Sequence, residues 1–176
     1  DPDNKDNVEP LLFELSNENA QVVQYLNTTK ASLLTRLKAS RVNKNSIYWL
    51  HLYFVAQDIH EKVSANYLHY EQIPHNFSRS DLIFRFQKNI RLLALSCQQL
   101  SACILRNEAF TPVHDPTHAL ENLELSLQDW IQDHPYNTEV KNLKLIVKNL
   151  KDLHDQLSHL QDVQFTYAYR FEQHVD

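Results

Sequence analysis

The stretch from Asn45 to Tyr70 constrains the fold more than any other part of the chain. Its apolar and aromatic residues recur at steps of three and four, which places them on one side of an α-helix. Asn43 or Asn45 can cap the start of this helix, and Pro74 disfavours helix beyond about Gln72. Further apolar residues occupy other faces of its first half. We therefore interpret the stretch as the central helix of a bundle.

A membrane span is the rival interpretation of this stretch. The apolar run from Ile47 to Ala56 contains His51 and is far shorter than the ~20 apolar residues that a spanning helix needs. The central-helix interpretation is therefore preferred.

Other segments show the same helical spacing and are bounded by capping residues or prolines. They predict a lead-in helix over Val8–Leu15 and further helices from Asn17 or Asn19 to about Ser40, from about Asp81 to Asn107 or Glu108, from Asp115 or Pro116 to Pro135, and from Asn137 or Thr138 through Leu160. The predicted fold class is all-α: an antiparallel helical bundle of about five main helices. We expect a single domain over residues 1–176, with residues 1–7 as a frayed linker.

The last predicted helix carries a heptad seam, which we interpret as packing inside the bundle rather than as a dimeric coiled coil. The seam residues are Leu143, Ile146, Leu150, Leu153, Leu157 and Leu160. The tail, residues 163–176, is ambiguous because Val163 to Phe171 alternates as a strand does. No other segment offers a strand partner, so a helix continuing from Leu157 is preferred.

Composition limits the classes of function. The chain has no glycine in 176 residues, which excludes the glycine-rich loops that hold nucleotides and phosphates. A net charge of −5 argues against nucleic-acid binding. We therefore expect no cofactor and no nucleic-acid partner. The chain also lacks methionine, so we interpret it as a fragment of a longer protein. Cys97 and Cys103 face different sides of one predicted helix, which is typical of free thiols in a reducing compartment.

Histidines and carboxylates are frequent, yet they form no recognisable catalytic or metal-binding motif. His60-Glu61 lacks the second histidine, four residues on, that a zinc-protease helix requires. Asp58, His60 and Glu61 can be read as an acid–base cluster, but Asp58 is also spaced to form an ordinary ion pair with Lys62. We therefore predict no catalytic residue, no metal site and no enzymatic activity.

The segment from Tyr53 to Ser64, YFVAQDIHEKVS, followed by Leu68-His69-Tyr70, resembles the YccS/YhfK group of bacterial inner-membrane proteins. This group lies within the fusaric-acid-resistance-like family, and the resemblance covers about residues 15–110. Tyr67 is a departure, since related sequences tend to carry histidine there. The residues that we single out are a family-motif patch (Asp58, His60, Glu61 and His69) and an aromatic contact face (Trp49, Tyr53 and Phe54).

The resemblance implies a soluble helical domain on the cytoplasmic side of a multi-pass inner-membrane efflux transporter. Its expected role is scaffolding or regulation, and its expected partners are the membrane-embedded parts of the same polypeptide. A homo-oligomer is a further option. The Ile47–Phe54 surface and the leucine seam are the expected contact faces. The alternative is a non-catalytic bundle that binds a small ligand in a cavity beside Trp49 and Tyr53.

Overall fold

The computed structural model describes the backbone of residues 8–39, 44–70 and 80–172 and the side chains of residues 10–39, 46–65 and 80–160. Five α-helices run through these ranges: α1 (Val8–Ala39), α2 (Lys44–Tyr70), α3 (Asp81–Arg106), α4 (Thr117–Asp133) and α5 (Val140–Glu172). Because the described ranges contain no strand, the all-α prediction is confirmed. Within these ranges, none of the helices combines the length and apolar character that crossing a bilayer demands.

The first helix differs from its prediction. α1 is one continuous helix of 32 residues, where the sequence predicted a lead-in helix followed by a second one. Pro10 lies near its start, where the missing backbone N–H would have no helical partner in any case. The capping role expected for Asn17 or Asn19 is wrong, because both residues lie well inside α1 and a cap requires non-helical backbone.

The two ends of the chain can be followed only in part. The predicted linker, residues 1–7, lies outside the described residues, as do residues 173–176 of the tail. The rest of the tail belongs to α5, which continues to Glu172, so the alternating residues from Val163 to Phe171 are helical rather than a strand.

The chain has no glycine, and an asparagine and an aspartate stabilise two of its helix ends. Asn107 ends α3 in the left-handed region at φ 53°, and its backbone N–H binds the carbonyls of Cys103 and Ile104. Before α4, Asp115 Oδ1 accepts hydrogen bonds from the hydroxyl and the backbone N–H of Thr117, at 2.6 and 2.9 Å. These bonds, the hydroxyl's first, lower the pKa of Asp115.

The chain divides into two compact units, Asp1–Ala65 and Asn66–Asp176. The first contains α1 and most of α2. The second contains α3, α4 and α5, each of which packs against the other two. The expectation of a single domain stays a prediction.

The second unit is built around the predicted leucine seam. The six seam residues of α5 are only 0–2% exposed: Leu143, Ile146, Leu150, Leu153, Leu157 and Leu160. The opposing helices contribute fully buried side chains such as Leu82 from α3 and Leu123 from α4. The seam therefore packs within this chain, as interpreted, and is not left open for a dimeric coiled coil.

The buried face of α3 includes polar as well as apolar residues. Its buried residues follow one another at steps of four, three, four, three and seven: Leu82, Phe86, Asn89, Leu93, Ser96 and Cys103. Asn89 and Ser96 lie on this face although they are polar, whereas the apolar Ile90 is exposed. A count of apolar residues alone could not find this face.

Polar groups connect the three helices inside this core. Asn89 Nδ2 donates to the backbone carbonyls of Ala119 on α4 at 3.0 Å and of Arg85 on its own helix at 2.9 Å. His154 of α5 is also buried. Burial lowers the pKa of His154, while the Asn89 backbone and the Asp155 carboxylate oppose this shift more weakly. The histidine is therefore neutral in the folded core at pH 7.

The connection between α3 and α4 packs against the last turns of α3. Gln99 Nε2 donates to the Thr111 carbonyl at 2.6 Å, and Gln99 Oε1 accepts from the Val113 backbone N–H at 3.1 Å. Phe110, between these bonds and the end of α3, is completely buried. The side chain of Gln99 thus holds residues 111 and 113 of the connection against α3.

We expect Leu123→Ala to lower the free energy of unfolding of the second unit by about 2–5 kcal/mol, because it removes buried methyl groups and leaves a cavity. Leu123 is 0% exposed, whereas Leu125 on the same helix is 58% exposed. Leu125→Ala is therefore the matched control and should change stability by less than about 0.5 kcal/mol. Urea denaturation followed by circular dichroism measures both, and equal effects would contradict the described core.

We expect acid to destabilise the second unit through His154. The unfolded histidine has a pKa of about 6.5 and the folded one a lower pKa, so the unfolded state binds more protons between these values. Stability is fully present above pH 6.5 and is lost as the pH falls towards the folded pKa. Urea midpoints at pH 7.5 and 5.5 should differ less for His154→Leu than for the unchanged chain. His118→Leu, at an exposed position, should keep the original difference.

Candidate functional site

The family-motif patch lies on α2, and its described members bind separate partners. Asp58 pairs with Lys62 at 2.7 Å, and Glu61 accepts a hydrogen bond from Gln57 Nε2 at 2.9 Å. Each of these pairs joins residues four apart on α2. His60 instead bonds across to α1. The acid–base cluster suggested by the sequence is therefore not assembled in this geometry.

The contact between α1 and α2 centres on Asn19. Its Oδ1 lies 2.8 Å from His60 Nε2 and accepts a hydrogen bond from Ser64 Oγ at 3.3 Å. His60 and Ser64 are one turn apart on α2, so both reach the same point on α1. One amide oxygen thereby joins residues more than 40 positions apart in the chain. We call Asn19, His60 and Ser64 the polar staple.

The polar staple resembles a serine–histidine pair but is arranged differently from one that activates a nucleophile. Ser64 Oγ lies 3.3 Å from His60 Nε2. An amide oxygen can only accept, so the 2.8 Å contact with Asn19 requires His60 Nε2 to carry a proton. A general base would need that nitrogen free to take the serine proton. The geometry fits a connection between two helices.

The aromatic contact face and His69 are the remaining predicted site residues. Tyr53 of the aromatic contact face is buried and packs edge-on against Phe54, with ring centroids 5.5 Å apart. Phe54 and Trp49 are exposed, and Trp49 packs edge-on against Tyr48 at 5.4 Å. The face is therefore divided between a buried ring and two exposed ones. The side chain of His69 lies outside the described residues.

Potential metal ligands stay apart wherever side chains are described. No three histidine, cysteine, aspartate or glutamate residues gather there as a cation site would require. Cys97 and Cys103 are free thiols, and burial raises the pKa of Cys97.

Reasoning from the sequence did not single out Ser64, and it missed the role of Asn19. Its predicted role is only that of a helix cap, yet it continues a ladder of half-buried leucines at seven-residue steps: Leu12, Leu26 and Leu33. A polar residue at one position of an otherwise apolar ladder is the signal that could have identified it. Its partners could not have been read from the sequence, because they lie on another helix.

Comparison with known proteins places this chain in a family. A family model described as "FUSC-like inner membrane protein yccS" matches residues 1–157. The chain belongs to the FUSC-like family. The resemblance inferred from the α2 segment is therefore confirmed.

Two relatives show how much of a longer protein the chain represents. Inner membrane protein YccS of Escherichia coli (strain K12) is 35% identical over 166 residues, which is 93% of this chain and 23% of that relative. An uncharacterized protein of Haemophilus influenzae (strain Rd) is 29% identical over 168 residues, 94% of this chain and again 23% of the relative. The chain therefore spans less than a quarter of the length of these relatives. No solved structure matches it.

We expect Asn19→Ala to loosen α1 by about 1 kcal/mol, the usual net contribution of a neutral hydrogen bond. Hydrogen exchange of α1 peptides should become roughly fivefold faster. In a double-mutant cycle, Asn19→Ala and His60→Ala should be non-additive because they remove the same contact. Gln57→Ala is the control, because its bond to Glu61 stays within α2. Additive effects of the first pair would contradict the polar staple.

Proposed function

We propose that this chain is a non-catalytic helical domain on the cytoplasmic side of a multi-pass inner-membrane protein of efflux-transporter type. We further propose that it acts as a scaffold for the membrane-embedded parts of the same polypeptide. The family match over residues 1–157 is the observation that carries this proposal. The relatives are several times longer than the chain, which leaves most of their length for other parts.

Exposed ion pairs support a position in water. Lys148 pairs with Asp152 along α5 at 2.7 Å, and Lys151 of α5 pairs with Glu124 of α4 at 3.0 Å. Charged side chains inside a bilayer cost several kcal/mol unless they face a cavity. The outer surface of the second unit therefore suits water.

The two cysteines support the cytoplasmic side. Cys97 is half-buried and Cys103 is buried, and both are free thiols. Free thiols are usual in the cytoplasm, where glutathione and thioredoxin keep them reduced.

The first unit supports scaffolding over catalysis. Asp58, His60 and Glu61 each bind a different partner, so they do not converge on one reacting atom. The polar staple holds two long helices together, which is what a rigid spacer needs. The ligand-binding alternative requires an enclosed cavity beside Trp49 and Tyr53, and the exposure of Trp49 does not favour it.

We expect a cysteine at position 136 to report the cytoplasmic side. Tyr136 is 96% exposed, so Tyr136→Cys places a reactive thiol on the surface. In the full-length protein with Cys97→Ala and Cys103→Ala, a membrane-impermeant maleimide should label this thiol in inverted inner-membrane vesicles. It should not label it in intact spheroplasts.

Leu123→Cys is the control for this labelling, because position 123 is fully buried and should react only after denaturation. Labelling of Tyr136→Cys in spheroplasts would place the domain on the periplasmic side and overturn the proposal.

A further inference from the structure

The outer side of α3 carries apolar and basic side chains on one line. Phe84, Lys88, Arg91 and Leu95 follow one another at steps of four, three and four, so they share one side of the helix. All four are exposed, Phe84 by 68% and Leu95 by 37%. Arg91 is two positions from the buried Asn89, about 200° around the helix, so the line faces away from the core. We call these four residues the basic row of α3.

The charge of the basic row is not neutralised by its own helix. α3 has four bases and one acid, in a chain whose net charge is −5. That acid, Asp81, pairs with Arg85 at 2.7 Å, and Arg106 is paired as well. Among the described side chains, no carboxylate lies within ion-pair distance of Lys88 or Arg91. The two bases of the row are therefore available to an external anion.

We propose that the basic row of α3 docks on an anionic phospholipid surface. Such a surface presents phosphate groups above an acyl boundary, so it accepts bases and apolar side chains from one helix side. The long stems of Lys88 and Arg91 let their charges stay at the phosphates while the Phe84 ring enters the boundary. The proposal rests on the proposed function, because a domain joined to membrane-embedded parts stays within reach of the bilayer.

The small size of the basic row suits a reversible contact. The row is about 17 Å long from Phe84 to Leu95, at 1.5 Å per residue. Its two bases are fewer than the roughly four to eight that bind anionic lipids in juxtamembrane clusters. A covalent link to the membrane raises the effective concentration of the row at the surface, so a weak contact is enough. Contact at the level of the headgroups leaves the rest of the domain in water.

The acidic helix α4 of a second copy fits the basic row less well. On α4, Glu121, Leu125 and Asp129 form an exposed line at steps of four. This line has its apolar residue between two acids, whereas the basic row has its bases between two apolar residues. Centre-to-centre pairing would set each carboxylate against an apolar side chain, and a shift of one turn would leave one carboxylate without a base. A lipid surface imposes no such register.

Vesicle binding by the 176-residue chain tests the docking. Co-sedimentation should show at least about tenfold stronger binding to vesicles of equal parts phosphatidylglycerol and phosphatidylcholine than to vesicles of phosphatidylcholine alone. This difference should shrink as the salt concentration rises, because salt screens the attraction to the phosphates. Lys88→Glu with Arg91→Glu should weaken binding to the anionic vesicles at least about tenfold, since two attractions become repulsions.

Lys141→Glu with Lys144→Glu is the matched control for charge. Both lysines are exposed on α5, and their substitution changes the net charge by the same amount. Because these positions lie outside the basic row, binding to the anionic vesicles should weaken less than about threefold.

Apolar substitutions provide the second arm. Phe84→Ser with Leu95→Ser removes the apolar half of the basic row and should weaken vesicle binding at least about fivefold. Leu105→Ser is the control on the same helix, because Leu105 is 84% exposed and lies outside the row, and it should leave binding unchanged. Circular dichroism of every variant verifies that the helices remain.

Two results would overturn the docking. One is equal binding, or none, to the two kinds of vesicle. The other is an equal loss of binding in the α5 control, since net charge rather than the basic row would then govern the contact. Neither result touches the cytoplasmic placement, which the maleimide labelling at position 136 tests separately. Labelling from the periplasmic side would conversely overturn the proposed function and leave the vesicle result intact.

Discussion

The burial of the leucine seam of α5 is the interaction on which the second unit depends. Each of its six side chains loses nearly all contact with water, and full burial of a leucine contributes roughly 1.5–3 kcal/mol. The seam extends from Leu143 to Leu160, which is about 27 Å at 1.5 Å per residue. Alternating steps of three and four keep the seam on one side of α5 over this whole length.

Polar residues on these apolar ladders fix how the helices meet. Asn89 takes a ladder position of α3 and bonds to the α4 backbone, and Asn19 takes a ladder position of α1 and bonds to two residues of α2. At the buried position of Asn89, a leucine would bury more apolar area and would also tolerate sliding by one turn. An asparagine bonds in one register, so it exchanges some stability for a defined alignment.

The sequence predicts this fold well wherever apolar spacing alone decides it. α2, α4 and α5 and the seam of α5 follow from steps of three and four bounded by asparagine, aspartate and proline. The errors have one physical origin, which is that polar residues change meaning with context. From the sequence, an asparagine such as Asn19 can be either a residue before a helix that caps it or a residue inside the helix. Asn89 and Ser96 are polar and so are not expected on a buried face, although the three-helix core covers them. Of the polar staple, only His60 was singled out from the sequence, because the meeting of its three residues depends on the packing of two helices.

α1 and α5 are almost equal in length, yet their apolar residues have different surroundings. α5 packs against both α3 and α4, and its ladder is closed to water. The polar staple joins α1 to α2, and the leucine ladder of α1 is only half-buried. A helix in an ordinary globular unit buries a stripe at least about 100° wide, because packing rather than intrinsic propensity provides most of its stability. α1 possesses such a stripe and leaves much of it uncovered.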